Sequence, residues 1–166
     1  MNALFIGRFQ PFHRGHLHVI KTILTDYDHV IIGVGSSQYK NTMDNPFSYK
    51  EREVMITKTL QAEDITQFTL VPIPDIHDPP RWVDHVESLV PTFSVVFTNN
   101  SFTASLFSEK QYIVKQTGFY QKIKYSGDRI RKAMGNHEPW KDLVHPAIHD
   151  FLEEIDAEKR IKNIQK

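Results

Sequence analysis

The chain has 166 residues, enough for one domain with a sizeable core, and its 20 basic and 20 acidic side chains cancel. Nothing in this balance suggests a general polyanion binder, and any affinity for phosphate has to come from local placement. The absence of cysteine rules out disulfides and thiolate metal sites and suits a cytoplasmic protein; no run approaches the ~18 apolar residues of a membrane span, and the opening Met-Asn-Ala-Leu-Phe-Ile-Gly-Arg lacks the basic leader and apolar length of a signal peptide.

Residues 3–6, Ala-Leu-Phe-Ile, predict a buried first strand, and residues 15–25 carry apolar side chains at helical spacing. Between them lies Gly7-Arg8-Phe9-Gln10-Pro11-Phe12-His13-Arg14-Gly15-His16, a strand-to-helix turn with an H-x-G-H core. Such a turn points backbone N–H groups and the positive end of a helix dipole beyond the sheet edge, which suits a phosphate. His13 and His16 are three apart and can share a helix face. Arg8 and Arg14 add guanidinium donors, and Gly15 lets a nucleotide approach the backbone closely.

The second strand is predicted at 29–34. Gly33-Val34-Gly35 runs on into Ser36-Ser37-Gln38, so the third glycine of a dinucleotide fingerprint is missing, and this is the second strand–helix turn rather than the first. A helix is predicted at 48–61, where Ser48 and Glu51 form a capping box; Arg52 is either a solvated helix charge or a fork for phosphate oxygens. After a strand at 68–73, the proline-held loop from Asp75 leads into a helix at 81–89, and its Trp82 is either core or a cation–π platform. A strand at 94–98 precedes Thr98-Asn99-Asn100-Ser101 and a helix at 102–107; a fifth strand falls at 111–115. Tyr125-Ser126-Gly127-Asp128-Arg129-Ile130-Arg131 opens a helix at 127–134. Its hydroxyl and its arginine one turn on suit phosphates, and Asp128 is expected to cap the helix facing away. His145 and His149 flank the start of a helix at 146–155 and read as a surface pair, not a zinc site. Residues 153–166 read as a solvated helix end that frays. Strands alternating with amphipathic helices imply one domain, residues 1–166. Its class is α/β, a doubly wound, Rossmann-like parallel sheet with helices on both faces and ligands beyond the carboxyl ends of its strands.

Gly7 to His16 resembles the first signature of the nucleotidyltransferase superfamily of adenylyl- and cytidylyltransferases. Further segments follow in order: Asn45-Pro46-Phe47 with Glu51-Arg52, Asp75-Ile76 with Trp82-Val83, and Tyr125-Ser126-Gly127 with Ile130-Arg131. Over nearly its whole length the chain is similar to the archaeal-type nicotinamide-mononucleotide adenylyltransferases. Two positions depart from that pattern. Thr98-Asn99-Asn100-Ser101 stands for a Ser-Gly-Asn-Pro-like run, and Asp128 stands for a threonine.

The resemblance implies transfer of AMP from ATP to the 5′-phosphate of nicotinamide mononucleotide (NMN), giving NAD and pyrophosphate. It implies Mg²⁺ held mainly by the phosphates, with no protein metal site, a homohexamer, and neither nucleic acid nor membrane as partner. His13 and His16 would hold the triphosphate, Arg8 and Arg131 would neutralise the leaving pyrophosphate, and Ser126 would donate to the terminal phosphates. Arg52 would hold the acceptor phosphate, Trp82 would stack on nicotinamide and Asp75 would meet its carboxamide. Gly7, Phe9, Gln10, Gly15, Gly35, Ser36, Asn45 and Asn100 would complete the nucleotide contacts. Two rival readings stand beside this one: a sibling transferase acting on a flavin or pantetheine phosphate, and a non-catalytic nucleotide sensor.

Overall fold

Five short runs, the first apolar and the other four rich in β-branched residues, become strands: β1 (Asn2–Gly7), β2 (His29–Gly35), β3 (Phe68–Ile73), β4 (Val95–Phe97) and β5 (Ile113–Lys115). The helices are α1 (Arg14–Asp26), α2 (Tyr49–Ala62), α3 (Pro79–Leu89), α4 (Ser101–Glu109), α5 (Gly127–Gly135), α6 (His149–Glu154) and α7 (Ala157–Gln165). The structure, a computed structural model, describes residues 1–118 and 124–166. The described chain forms two compact units. One comprises Met1–Arg8, Val19–Ser37 and residues 67–118; the other comprises Phe9–His18, Gln38–Thr66 and residues 124–166.

The first unit holds the sheet, which is parallel throughout and ordered β3-β2-β1-β4-β5. Leu4 pairs in register with Ile31 and Val96, and Phe5 with Ile32 and Phe97, so each row of side chains shares a face. Leu4, Ile6, Ile31, Ile73 and Val96 pack with Val83 and Val86 of α3, and with Phe93 and Phe107, in one core. The strand order runs outward from β1 to β3 and then returns past β1 to β4. Right-handed crossovers in opposite directions put their helices on opposite faces, which makes the sheet doubly wound. Pro72 is tolerated within β3 because that strand lies at the sheet edge. Burying each large apolar side chain contributes ~1.5–3 kcal/mol. An exposed pair such as Lys110–Asp84 is screened by water and contributes little, so apolar burial rather than surface charge holds this unit together.

The second unit buries Met55, Ile56 and Leu60 from α2, Ile130, Ala133 and Met134 from α5, and Leu152 from α6. Residues 153–166, expected to fray, instead form the end of α6 and a docked helix. Asp156 takes a left-handed φ of 52°, which breaks the chain direction. α7 then buries Ala157 and Ile161 and packs against α5. Trp140 donates its indole N–H to Glu158 at 2.5 Å. The helix expected at 146–155 is divided into a 3-10 turn over Pro146–Ile148 followed by α6. His145 is less exposed than a surface pair requires: its Nδ1 accepts the Ala147 N–H at 3.0 Å and its Nε2 faces Glu63 at 3.1 Å.

Candidate active site

The first unit carries its chemistry-bearing residues beyond the carboxyl ends of its strands. Gly7 ends β1 and Arg8 follows it, Gly35 ends β2 and Ser36 follows it, Asp75 follows β3 and Asn100 follows β4. β1 and β4 flank the point where the strand order reverses, the place at which such sheets take ligands. Ser36 sits at a left-handed φ of 49° and donates its hydroxyl to Asp75 at 2.7 Å. A side chain in that conformation is uncommon and strained, and such strain clusters at functional turns. Gly33 has a packing reason: a Cβ there would stand 2.6 Å from Ile73 Cδ1. Trp82 is half-buried against the core, with its ring edge-on to Phe107 at 5.7 Å. Asn100 is the N-cap of α4, its Oδ1 accepting the Thr103 N–H at 2.9 Å.

In the second unit the H-x-G-H turn, the Asn45–Arg52 segment and the start of α5 meet. Gln10 fastens the first to the second: its Nε2 donates to the Phe47 carbonyl at 2.9 Å and its Oε1 accepts the Phe47 N–H at 3.0 Å. Arg131 fastens the first to the third by donating Nη1–H to the Gln10 carbonyl at 2.8 Å. Gly127 is needed here, since a Cβ would lie 2.9 Å from that Nη1 and 3.0 Å from that carbonyl oxygen. Phe9 is buried at a left-handed φ of 53°, an outlier for a bulky residue, and its ring meets the edge of His16 at 4.8 Å.

The two imidazoles stack, with ring centres 3.6 Å apart and planes at 22°. His13 Nδ1 accepts the Gly15 N–H at 3.1 Å, and His16 Nδ1 accepts the His13 N–H at 3.2 Å. A nitrogen that accepts carries no proton, so each neutral ring carries its proton on Nε2, as a donor. Burial pushes His13 down to about 3; burial, and then the neighbouring His13, push His16 well below its ordinary value. Both rings are therefore neutral at pH 7. Gly15 also serves this arrangement. A Cβ would lie 3.0 Å from His13 Cε1 and Nδ1 and 3.2 Å from Tyr125 Cβ.

A stability dependence on pH results. The unfolded state takes up protons at the ordinary histidine value of 6.5, which the folded rings refuse. Stability is therefore fully present above that value and is lost as pH falls through it, by up to ~1.4 kcal/mol per pH unit for each histidine. Urea unfolding at pH 7 and pH 5 should show this slope in the wild type. The slope should be flatter in His13→Asn, whose amide oxygen can still accept the Gly15 N–H; equal slopes would contradict the assignment.

Arg52 settles one of the sequence alternatives. It is fully buried, with Nε–H donating to the Ser48 carbonyl at 3.3 Å, so it is no solvated helix charge. A guanidinium taken out of water has to be compensated by its surroundings, so its place is set by tertiary packing rather than by helix solubility. Nearby in sequence, Asn45 is buried with an Oδ1 that has no hydrogen-bond partner. The capping box is present as read, with Ser48 N–H to Glu51 at 2.8 Å and Glu51 N–H to Ser48 Oγ at 3.2 Å.

Two expectations are corrected. Ser126, not Asp128, caps α5, accepting the Arg129 N–H at 3.2 Å; Asp128 lies in the first turn, ion-paired with Lys132 at 2.9 Å. Arg14 turns its Nε–H to the Asp142 carbonyl at 3.0 Å rather than adding a donor to the turn. Among the described residues no three His, Asp or Glu side chains gather as a metal cage, and no helix is long and apolar enough to cross a membrane.

Residues 4–133 match the cytidylyltransferase-like family. The chain is 43% identical over 162 residues to the nicotinamide-nucleotide adenylyltransferase of Thermoplasma acidophilum, covering 98% of this chain and 90% of that one. It is 46% identical over 166 residues to the enzyme of the same name from Methanococcus maripaludis, covering 100% and 96%. Among solved structures, a bifunctional NMN adenylyltransferase/ADP ribose pyrophosphatase from Francisella tularensis, complexed with AMP and a Mn ion, superposes with a TM-score of 0.80 at 24% identity. That alignment covers 98% of this chain and 51% of the other, so the chain spans about half the length of the bifunctional protein, and the likeness is one of fold. With relatives of this identity matched almost end to end, the chain belongs to the nicotinamide-nucleotide adenylyltransferase family, within the cytidylyltransferase-like proteins.

Proposed function

We propose that the protein transfers AMP from ATP to the 5′-phosphate of nicotinamide mononucleotide, releasing pyrophosphate and forming NAD. The observation that carries this reading is the joining of the H-x-G-H turn to the start of α5 by the Arg131–Gln10 bond at 2.8 Å. That bond sets two Nε2–H imidazoles, a capping serine and a guanidinium in one unit, a donor set that matches a triphosphate.

The acceptor phosphate is mostly a dianion at neutral pH, its second pKa being near ~6. It therefore attacks without a general base, and no base–nucleophile couple is called for. An acceptor oxygen forms a bond to the α-phosphorus of ATP. The bond from that phosphorus to the oxygen bridging to the β-phosphate breaks, and pyrophosphate leaves with the electron pair. The remaining work is positioning and charge neutralisation. His13 and His16, as neutral donors, hold the α-phosphate oxygens as charge builds on them. Ser126 and Arg131 hold the β- and γ-phosphates, and Arg8 shares the neutralisation of pyrophosphate. Arg52 and Asn45 hold the acceptor phosphate. In the first unit Trp82 stacks on the pyridinium, Asp75 takes the carboxamide, and Gly7, Gly35, Ser36 and Asn100 contact the nucleosides. Phe9, Gln10 and Gly15 shape the turn that carries the histidines.

A divalent metal fits this donor set as a partner of the phosphates. The nitrogen donors of the turn suit anionic oxygens, and the nearest carboxylate in sequence, Asp128, is committed to Lys132. Mg²⁺ bound to the triphosphate supplies further neutralisation of its charge.

Pyrophosphate release from ATP, measured against nicotinamide mononucleotide, nicotinic acid mononucleotide, flavin mononucleotide and 4′-phosphopantetheine, tests the reading. Release with the pyridine nucleotides alone is expected. Release with flavin or pantetheine phosphate instead, or with none, would overturn it. A milder variant tests the role of Gly15: Gly15→Ala should lower kcat by about tenfold or more, because displacing a catalytic ring by a fraction of an ångström is costly. Circular dichroism should show the fold unchanged, and full turnover in that variant would show that the His13 ring has room to move.

A further inference from the structure

Arg160, on α7, reaches back to the segment assigned to the acceptor phosphate. Its Nη1–H and Nη2–H go to the two carboxylate oxygens of Glu51 at 2.7 and 2.8 Å, a bidentate fork. Nη1 also reaches the Pro46 carbonyl at 3.3 Å, and the guanidinium lies 5.8 Å from the centre of the Phe47 ring. Glu51 in turn accepts the Ser48 N–H that starts α2, and Phe47 grips Gln10 through both backbone groups. One side chain thus holds the backbone next to Asn45 and the capped helix end that carries Arg52. The ion pair is only 23% and 20% exposed, so water screens it far less than the surface pairs. Burial pushes the Glu51 carboxyl up, but the Arg160 and Ser48 hydrogen bonds outweigh it and hold Glu51 below its usual value. The pair is ionised at neutral pH.

We infer that Arg160 is a positioning residue for the acceptor: it fixes Asn45 and Arg52 through the Pro46 carbonyl and Glu51, without touching a reactant. This rests on the proposed assignment of Asn45 and Arg52 to the acceptor phosphate. The loop has other ties: the Asn45 N–H meets Thr42 Oγ1 at 3.1 Å, the Asn45 carbonyl accepts the Thr42 N–H at 3.2 Å, and Gln10 holds Phe47. Arg160 adds the tie to α7, while the buried Asn45 Oδ1 itself makes no hydrogen bond.

The test uses the full chain with Arg160→Ala, Arg160→Lys and Glu51→Gln, the last of which keeps the capping box and loses the charge pair. In Arg160→Ala the KM for nicotinamide mononucleotide should rise about tenfold or more, with kcat within about threefold and the KM for ATP unchanged. Arg160→Lys should fall between it and the wild type, because a point charge does not span both carboxylate oxygens. Adding Glu51→Gln to Arg160→Ala should cost nothing further, as for two halves of one interaction. Equal changes toward both substrates, or an unchanged KM for the acceptor in spite of a lowered Tm, would overturn the inference. Should Arg160→Ala not fold, Arg160→Lys and Glu51→Gln carry the same comparison. A wild type inactive with nicotinamide mononucleotide would instead overturn the functional reading, and this inference with it.

Discussion

His16→Ala is expected to lose about 10²–10³ in kcat, equivalent to ~2.7–4 kcal/mol of transition-state stabilisation, while the protein remains folded. The loss has a specific origin. His16 Nδ1 is taken by the His13 N–H, so the ring has one proton to give, on Nε2. No other protonation state compensates, because burial and the stacked His13 keep the ring neutral. The fold should survive because His16 opens α1, where alanine is the better helix former, and because the neighbouring Phe9 and Phe12 remain buried in the same unit. His16→Asn separates the two roles of the ring. Its amide oxygen can still accept the His13 N–H, but it lacks the Nε2–H donor, so it should be nearly as slow as the alanine variant. Steady-state kinetics, with circular dichroism as a control for folding, checks both. Near-normal turnover in the asparagine variant would remove His16 from the chemistry and leave it a part of the turn.

Arg52→Lys should lower kcat/KM for the acceptor by at least about 10²-fold and leave the KM for ATP near the wild-type value. The substitution keeps the charge, so a role as a generic cation would survive it. What it removes is the planar fork, which meets two phosphate oxygens at once. The side chain is fully buried in the second unit and follows directly from the capped start of α2, so the ammonium that replaces it has little freedom to find another pose. Varying one substrate at saturating levels of the other gives both constants. An equal loss toward ATP would move Arg52 from the acceptor to the triphosphate. No loss would mean that the buried charge is structural.

The sheet was legible because its strands are short, apolar and β-branched, and because their spacing left only helical crossovers. The capping box of α2 was legible for a similar reason: Ser48 and Glu51 satisfy each other within four residues, so no distant partner is needed to recognise it. What failed to show were features whose partners lie far along the chain. Glu-Arg-Glu at 51–53 looks like any solvated helix surface, and the burial of Arg52 is set by tertiary packing. Arg160 sits in a charged tail whose partner, Glu51, is 109 residues away. Within the tail, Ala157 and Ile161 recur at helical spacing, a signal outweighed by the surrounding charge. Asp128 and Ser126 both suit an N-cap by residue type, and only the backbone decides for Ser126. A second reason for Gly15, the space that the His13 ring needs, depends on how the turn folds back on itself and was not legible in the sequence.

The most direct test is a crystal structure of the protein with a non-hydrolysable ATP analogue and Mg²⁺. The analogue's phosphate oxygens should lie at hydrogen-bond distance, about 2.7–3.2 Å, from the Nε2 atoms of His13 and His16 and from the Ser126–Arg131 end of α5. A triphosphate bound elsewhere, with the Nε2 groups of both histidines turned to other partners, would contradict the account.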